Sequence, residues 1–117
     1  MERPYEKLVA WKEAHALCLW SYGVTSAFPK KEMFGLTSQM RRSAYSVPMN
    51  IVEGNARRSK GDKRRFYEIA LGSLEELHYQ IRLARDLNYL PKESLEKAGK
   101  QIHRVSYLIT KLRNAFV

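Results

Sequence analysis

The length, cysteine content and charge of the chain exclude several classes of protein. It has 117 residues, which suits one domain with one core, and its single cysteine, Cys18, has no partner for an internal disulfide. No signal segment follows Met1 and no apolar run approaches the roughly 20 residues of a membrane span, so we expect a cytoplasmic protein that makes no membrane contact. The formal net charge of +9 favours anionic partners such as nucleic acid, or serves solubility alone.

Helical periodicity and the positions of Pro and Gly predict four helices and no strand. The helices are expected at Tyr5–Phe28, at Leu36–Gly54 or slightly beyond, at Ser59–Tyr89 and at Lys92–Phe116. Their connections are short, which places consecutive helices side by side in opposite directions. The predicted fold is therefore an all-α, up-and-down antiparallel four-helix bundle in which residues 1–117 form a single domain.

The first predicted helix carries two apolar lines. One comprises Leu8, Trp11, Cys18, Tyr22 and Thr25, and the other comprises Ala10, Ala14, Leu17, Val24 and Phe28. A helix that packs on one core needs a single apolar stripe, so the second line predicts a contact with another subunit. We therefore expect a homo-oligomer in which Cys18 is a buried, reduced thiol.

The second predicted helix combines an apolar stripe with residues that disfavour a helix. The stripe comprises Leu36, Met40, Ala44, Val47 and Ile51. Pro48 lacks a backbone donor and should kink the helix, and Glu53-Gly54 resembles a natural helix stop. A solvated surface helix gains nothing from this pattern, which indicates that packing constrains the segment.

The third and fourth predicted helices have regular core seams. The seams comprise Ala70, Leu74, Leu77, Ile81 and Ala84 in the third helix, and Leu95, Ala98, Ile102, Val105, Ile109, Leu112 and Phe116 in the fourth. Ser59 is expected to cap the third helix, with Asp62 as the acidic half of a capping box. Gly72 costs this helix about 1 kcal/mol relative to alanine, which a close approach of another helix would explain.

Several short segments that are weak signals singly become specific together. They are Leu8-Val9-Ala10-Trp11, Phe28-Pro29, Leu36 to Arg42, Asn50-Ile51-Val52-Glu53-Gly54, Gly72-Ser73-Leu74-Glu75-Glu76-Leu77 and Asn88-Tyr89-Leu90. Together they resemble the four-helix bundle proteins, also called 23S rRNA intervening-sequence proteins. The resemblance implies an all-helical protomer that forms a cyclic pentamer and is encoded within insertions in bacterial rRNA genes. The accessory variability determinant of diversity-generating retroelements, which is similar in fold, binds nucleic acid and a reverse transcriptase.

No arrangement of residues predicts catalysis, a metal site or a cofactor. Glu75 and His78 have the Glu-x-x-His spacing of di-iron bundles, but that site needs a second such pair. Neither His15 nor His103 follows a glutamate at this spacing. No serine lies on a Gly-flanked elbow, no Gly-rich phosphate loop is present, and Cys18 belongs to an apolar line. We expect no enzyme activity, no metal and no cofactor.

Five polar residues of the family-like segments are expected to form a structural polar network. They are Arg41, Arg42, Asn50, Glu53 and Glu76. If the two glutamates face the bundle interior or a subunit boundary, each needs a partner, and Arg42 is the first candidate because a guanidinium can donate two hydrogen bonds to a carboxylate. The alternative is that Asn50 and Glu53 contact a ligand.

The strongest binding signal is a run of cations between the second and third predicted helices. Six of the nine residues 57–65 are basic, namely Arg57, Arg58, Lys60, Lys63, Arg64 and Arg65. Such a run favours contacts with phosphates rather than bases, because no recognition helix or paired aromatic platform accompanies it. The alternative is a solvated charge run at a helix junction.

Together these features predict a non-enzymatic cyclic homo-oligomer, a pentamer by resemblance, that binds RNA or DNA through basic surfaces. The alternative is a protein-interaction scaffold whose partner is a nucleic-acid enzyme such as a reverse transcriptase. Peripheral membrane binding is disfavoured because the bundle core already uses the apolar stripes.

Overall fold

A computed structural model describes residues 1–117 and contains four α-helices and no strand. The helices are α1 (Val9–Thr25), α2 (Leu36–Ala56), α3 (Lys60–Asp86) and α4 (Glu93–Asn114), with short 3₁₀ turns at Pro4–Lys7 and Lys30–Glu32. The predicted all-α class and the predicted number of helices are confirmed.

The four helices pack around a common core. Consecutive helices contact each other, and α1 also contacts α4. The molecule measures 43 × 25 × 24 Å, and its long axis agrees with the roughly 40 Å that α3 spans at about 1.5 Å per residue. Every predicted seam residue of α3 is fully buried, as are Val105 and Ile109 of α4. The residue spacing therefore identified the core side of both helices.

The first helix is shorter than predicted at both ends. Leu8 has an extended backbone, with φ −72° and ψ 125°, and separates the initial 3₁₀ turn from α1. Beyond Thr25 the backbone N–H groups of Ala27 and Phe28 bond to carbonyls three residues earlier rather than four. The chain therefore tightens into a turn before Phe28, and the predicted helix Tyr5–Phe28 was wrong at its two ends.

The third helix starts as predicted and ends three residues early. Ser59 Oγ accepts a hydrogen bond of 3.0 Å from the Asp62 N–H, although no return bond from the Asp62 carboxylate completes a capping box. At the far end Asn88 has φ 65°, and the Tyr89 N–H donates to the Ala84 carbonyl at 2.8 Å. This closure, called a Schellman motif, requires a left-handed residue, and Asn adopts that conformation readily.

The structure contradicts the predicted role of Gly54 as a helix stop and the predicted close contact at Gly72. Gly54 does not end α2, because the helix continues through Pro48 to Ala56. A Cβ atom at Gly54 would lie only 2.6 Å from Cε1 of the buried Tyr67, so glycine allows α2 and α3 to approach closely. A Cβ atom at Gly72 would meet nothing within 4 Å, so the helix contact predicted there is absent from the protomer.

Candidate nucleic-acid interface

The predicted basic run lies at one end of the bundle, where three residues, Arg57–Ser59, join α2 to α3. The carboxyl end of α4 lies at this same end, because the ring of Phe116 is 6.2 Å from the ring of Tyr67 and 5.3 Å from Lys63 Nζ. We call the six cations of residues 57–65 the basic end. The structure divides them into three groups with different surroundings.

The ammonium group of Lys63 is already bound within the protein. Its Nζ donates hydrogen bonds to the Asn55 carbonyl at 3.0 Å and the Gly54 carbonyl at 3.3 Å. These carbonyls belong to the last turn of α2, where the backbone supplies only the Arg57 N–H, 3.3 Å from the Gly54 carbonyl. The ammonium also complements the negative end of the helix dipole. Lys63 therefore closes α2, and it is the one cation of the basic end whose side chain donates hydrogen bonds to backbone carbonyls.

Arg57 and Arg65 both contact one aromatic ring. Their guanidinium carbons lie 4.7 Å and 4.9 Å from the centroid of Phe66, within the range of a cation–π contact. Arg57 Nη2 also lies 2.9 Å from Glu53 Oε2, but both side chains of this ion pair are more than two-fifths exposed. An exposed pair of this kind stabilises the fold by about 0–1 kcal/mol, so a phosphate can replace the carboxylate at little cost.

Arg58, Lys60 and Arg64 have no ion pair and no side-chain hydrogen bond. Arg58 and Lys60 are exposed, whereas Arg64 is half-buried. The acid in their midst, Asp62, is exposed and also unpaired. Their positive charge is therefore available to an anion in solution.

The five residues of the predicted polar network do not meet in the protomer. Arg42 and Glu76 are exposed and have no polar partner, and Glu53 pairs with Arg57 instead. Arg42 and Glu53 lie on one helix, eleven residues apart, which separates them by about 16 Å along the axis and puts them beyond each other's reach. The Arg42–Glu53 pairing within one chain was therefore wrong. A role for these residues at a subunit boundary stays a prediction.

Arg41 and Asn50 make local contacts. Arg41 Nε donates to Thr25 Oγ1 at 2.8 Å, and its Nη2 lies 3.4 Å from the Tyr22 carbonyl, so its guanidinium binds the carboxyl end of α1. Asn50 Nδ2 donates to the Ser46 carbonyl at 2.8 Å and to Ser46 Oγ at 3.0 Å. Ser46 Oγ in turn lies 2.8 Å from Ser73 Oγ on α3. These small networks join neighbouring helices. A contact of Asn50 and Glu53 with a ligand stays a prediction.

A polar contact that the sequence did not predict lies at the opposite end of the bundle. The Tyr89 hydroxyl donates to Glu32 Oε2 at 2.8 Å, and the Leu36 N–H at the start of α2 donates to Glu32 Oε1 at 3.1 Å. The Tyr89 hydrogen bond, followed by the Leu36 one, lowers the pKa of Glu32 below its usual 4.5. The same bond raises the pKa of Tyr89 above 10.0. Because 57 residues separate the partners, no local pattern indicates the contact.

The surface of the protein also carries an apolar depression of about 480 Å³ between α1 and α2. We call it the α1–α2 groove; it is lined by Tyr5, Trp11, His15, Cys18, Leu19, Tyr22, Tyr45, Pro48, Met49 and Val52. Cys18 lies at its floor and is buried. No three His, Cys, Asp or Glu side chains converge in the way that a metal ion requires, and none of the four helices is both long and apolar enough to cross a membrane.

Comparisons with known proteins agree with the fold. The profile of the 23S rRNA-intervening sequence protein family matches residues 6–111. No curated protein matches the chain. The crystal structure of a protein of unknown function from the S23 ribosomal protein family of Bacteroides thetaiotaomicron is similar, with a TM-score of 0.82 and 20% identity over 91% of this chain and 96% of that one. At this identity the likeness concerns the fold alone.

Proposed function

Because the chain belongs to the 23S rRNA-intervening sequence protein family, we propose that it is a non-enzymatic protein that assembles into a cyclic homo-oligomer, a pentamer, and binds RNA or DNA through its basic end. The observation that carries the binding proposal is the set of cations without acidic partners at the α2–α3 junction. Arg58, Lys60 and Arg64 have no ion pair, and the pair made by Arg57 is exposed.

The geometry of the basic end favours the phosphate backbone over the bases. The guanidinium groups of Arg57 and Arg65 both contact the ring of Phe66, the aromatic side chain at the centre of the basic end. A base that stacked on this ring would compete with those two contacts, whereas a phosphate can approach both exposed arginines from solvent. Binding is therefore expected to be tolerant of sequence and strongly dependent on salt.

Assembly into a ring would strengthen the binding of a polyanion by bringing several basic ends together. Each chain contributes a net charge of +9, and identical copies related by a rotation axis place their basic ends on the same side of the ring. A flexible polyanion can then contact several copies at once, which raises the avidity without any new contact.

The binding proposal is tested by a variant in which Arg57, Arg58, Lys60, Arg64 and Arg65 become Gln. Lys63 is left in place because it closes α2. Affinity for a fluorescent single-stranded RNA and for duplex DNA is measured over a series of salt concentrations. The log–log salt dependence should become shallower by roughly 0.7 to 0.9 units for each phosphate that the variant no longer binds, for every sequence alike.

A matched variant separates local binding from diffuse attraction. Lys30, Lys31, Lys92, Lys97 and Lys100 are also exposed, lie towards the opposite end of the bundle, and carry the same total charge. Their replacement by Gln should leave the salt dependence close to that of the natural protein. An equal weakening of affinity in the two variants would show that net charge alone attracts the polyanion, and unchanged affinity in the first variant would reject the basic end as the binding surface.

A further inference from the structure

Two of the apolar surfaces that the protomer leaves exposed lie on α1–α2 and on α3. The first is the rim of the α1–α2 groove, where Leu19 is 60% exposed and Met49 is 52% exposed. Tyr22 and Tyr45 extend this rim and are also exposed. Large apolar side chains grouped around a depression, rather than scattered, are typical of a protein contact surface.

The second surface is the side of α3 that faces away from the core. Ile69 and Tyr79 are 44% and 60% exposed, and Gly72 lies between them on the same helix face. A Cβ atom at Gly72 would meet nothing within 4 Å, so this glycine leaves a shallow gap between two apolar side chains. We call this surface the α3 outer face. Its glycine has no use inside the protomer, where it only lowers helix stability.

The charges of the two surfaces are opposite. Residues 66–81 of α3 contain three glutamates, Glu68, Glu75 and Glu76, and no Lys or Arg, although the whole chain is strongly basic. Residues 36–52 of α2 contain Arg41 and Arg42 and no acid. Arg42 and Glu76 are both exposed and unpaired.

We infer that the α3 outer face of one copy docks into the α1–α2 groove of a second copy of this chain, with Glu76 paired to Arg42 of the neighbouring copy. This inference rests on the ring of the proposed function and specifies which surfaces build it. Ile69 and Tyr79 cover the exposed apolar rim, and Gly72 lets the docking helix lie close to the groove. The pairing gives partners to Glu76 and Arg42, which have none in the protomer.

The arrangement of the helices allows each copy to use both surfaces at once. α1 and α3 each pack on α2 and α4, so they occupy opposite corners of the bundle. The α1–α2 groove and the α3 outer face therefore lie on different sides of the bundle. A contact between two different surfaces does not stop at a dimer, and it closes into a ring when the rotation that repeats it divides a full turn.

Site-specific cross-linking tests the contact. In a Cys18→Ala background, the double variant Met49→Cys with Tyr79→Cys is treated with a short bis-maleimide. We expect a ladder of covalent oligomers that ends at the size of the ring, because every copy then offers both sides of the contact. Either single cysteine alone should give almost no cross-linked product. Met49→Cys with Tyr107→Cys is the control, since Tyr107 is similarly exposed but lies on α4.

A charge exchange provides a second readout. Glu76→Arg and Arg42→Glu should each weaken assembly roughly tenfold or more, because each places like charges together, and the double variant should restore most of the assembly. Glu96→Arg, an equal charge change at an exposed position of α4, should leave assembly unchanged.

The outcomes separate this inference from the proposed function. If the natural protein forms a ring but the Met49–Tyr79 ladder is absent and the charge exchange gives no recovery, the assigned contact is wrong while the ring stands. A self-cross-linked dimer from either single cysteine would also overturn the contact, because it indicates a twofold interface. If the natural protein is a monomer at all concentrations, both the ring and the contact fail, whereas nucleic-acid binding is decided by its own experiment.

Discussion

Glu32 connects three parts of the molecule at the end opposite the basic end. Its carboxylate accepts a hydrogen bond from Tyr89, which follows α3, and another from the first N–H of α2, at Leu36. Glu32 itself lies in the 3₁₀ turn between α1 and α2. One side chain therefore holds both connections of that end together and satisfies an N-terminal donor of α2.

Replacing Tyr89 by Phe tests this contact through its pH dependence. The lowered pKa of Glu32 means that its stabilising contribution is present above about pH 4.5 and is lost as the pH falls through the lower folded pKa. The raised pKa of Tyr89 means that its contribution is present below pH 10.0 and is lost as the pH rises above it. The Tm difference between the natural protein and Tyr89→Phe should therefore be largest near neutral pH and shrink in acid and in strong alkali.

Tyr107→Phe is the matched control for that measurement. Tyr107 is exposed on α4 and makes no hydrogen bond through its hydroxyl, so its replacement should shift Tm little at any pH. A Tm difference for Tyr89→Phe that stays constant from acid to neutral pH would contradict an ionised Glu32 as the partner.

The roles of single residues were only partly predictable. Ser59 was predicted to be a cap because the acceptor, its side-chain hydroxyl, and the donor, the Asp62 N–H, lie only three residues apart in the chain. The basic run was visible in composition, but the separate role of Lys63 was not, because its acceptors become neighbours only after α3 folds back on α2. The Glu32–Tyr89 bond depends on two connections meeting in space, which periodicity cannot indicate.

At the scale of helices, Gly54 sets the distance between α2 and α3. The ring of Tyr67 occupies the space that a side chain at residue 54 would fill, and Tyr67 is fully buried. Gly54→Ala should therefore destabilise the protein by about 1–3 kcal/mol, because neither the ring nor the helix backbone can move freely. Denaturant unfolding measures this change, and Gly54→Ala combined with Tyr67→Leu should destabilise the protein by less than the sum of the single changes.

Gly99→Ala, at a second glycine inside a helix, is expected to raise the stability of the protein rather than lower it. Gly99 lies inside α4, and a Cβ atom there would meet nothing within 4 Å. Alanine should stabilise the helix by about 0.5–1 kcal/mol. Destabilisation by both alanines would show that the Tyr67 contact is not the cause of the Gly54 effect.

Helix interiors were predictable and helix ends were less so. The seams of α3 and α4 follow from spacing alone, because a buried stripe must recur every three or four residues. The end of α3 depends on the left-handed conformation of Asn88, and the start of α1 depends on the extended backbone of Leu8. The roles of the glycines were not predictable, because they depend on what lies beside each glycine in space: the ring of Tyr67 lies beside Gly54, and nothing lies within 4 Å of a Cβ atom at Gly72.

At the scale of the whole molecule, the proposed ring predicts a definite mass. One chain has a mass of 13.7 kDa, and light scattering coupled to size exclusion should give about five times this value at micromolar concentration. Assembly is expected because a monomer would leave the exposed apolar surfaces of the protomer in water. The factor of five is what the resemblance to the family implies. A mass of one chain that does not rise with concentration would contradict the ring and leave those surfaces for a different partner.

The buried thiol of Cys18 provides a built-in measure of local opening between α1 and α2. Cys18 lies at the floor of the α1–α2 groove, and burial raises the pKa of its thiol, so both access and ionisation limit its reaction with alkylating reagents. Because it is the chain's one thiol, its labelling rate measures how often α1 opens away from α2, with no probe introduced. A neighbouring copy that covers the groove would slow this labelling further. The labelling rate of Cys18 in the ring would then also report the rate at which one subunit dissociates from the next.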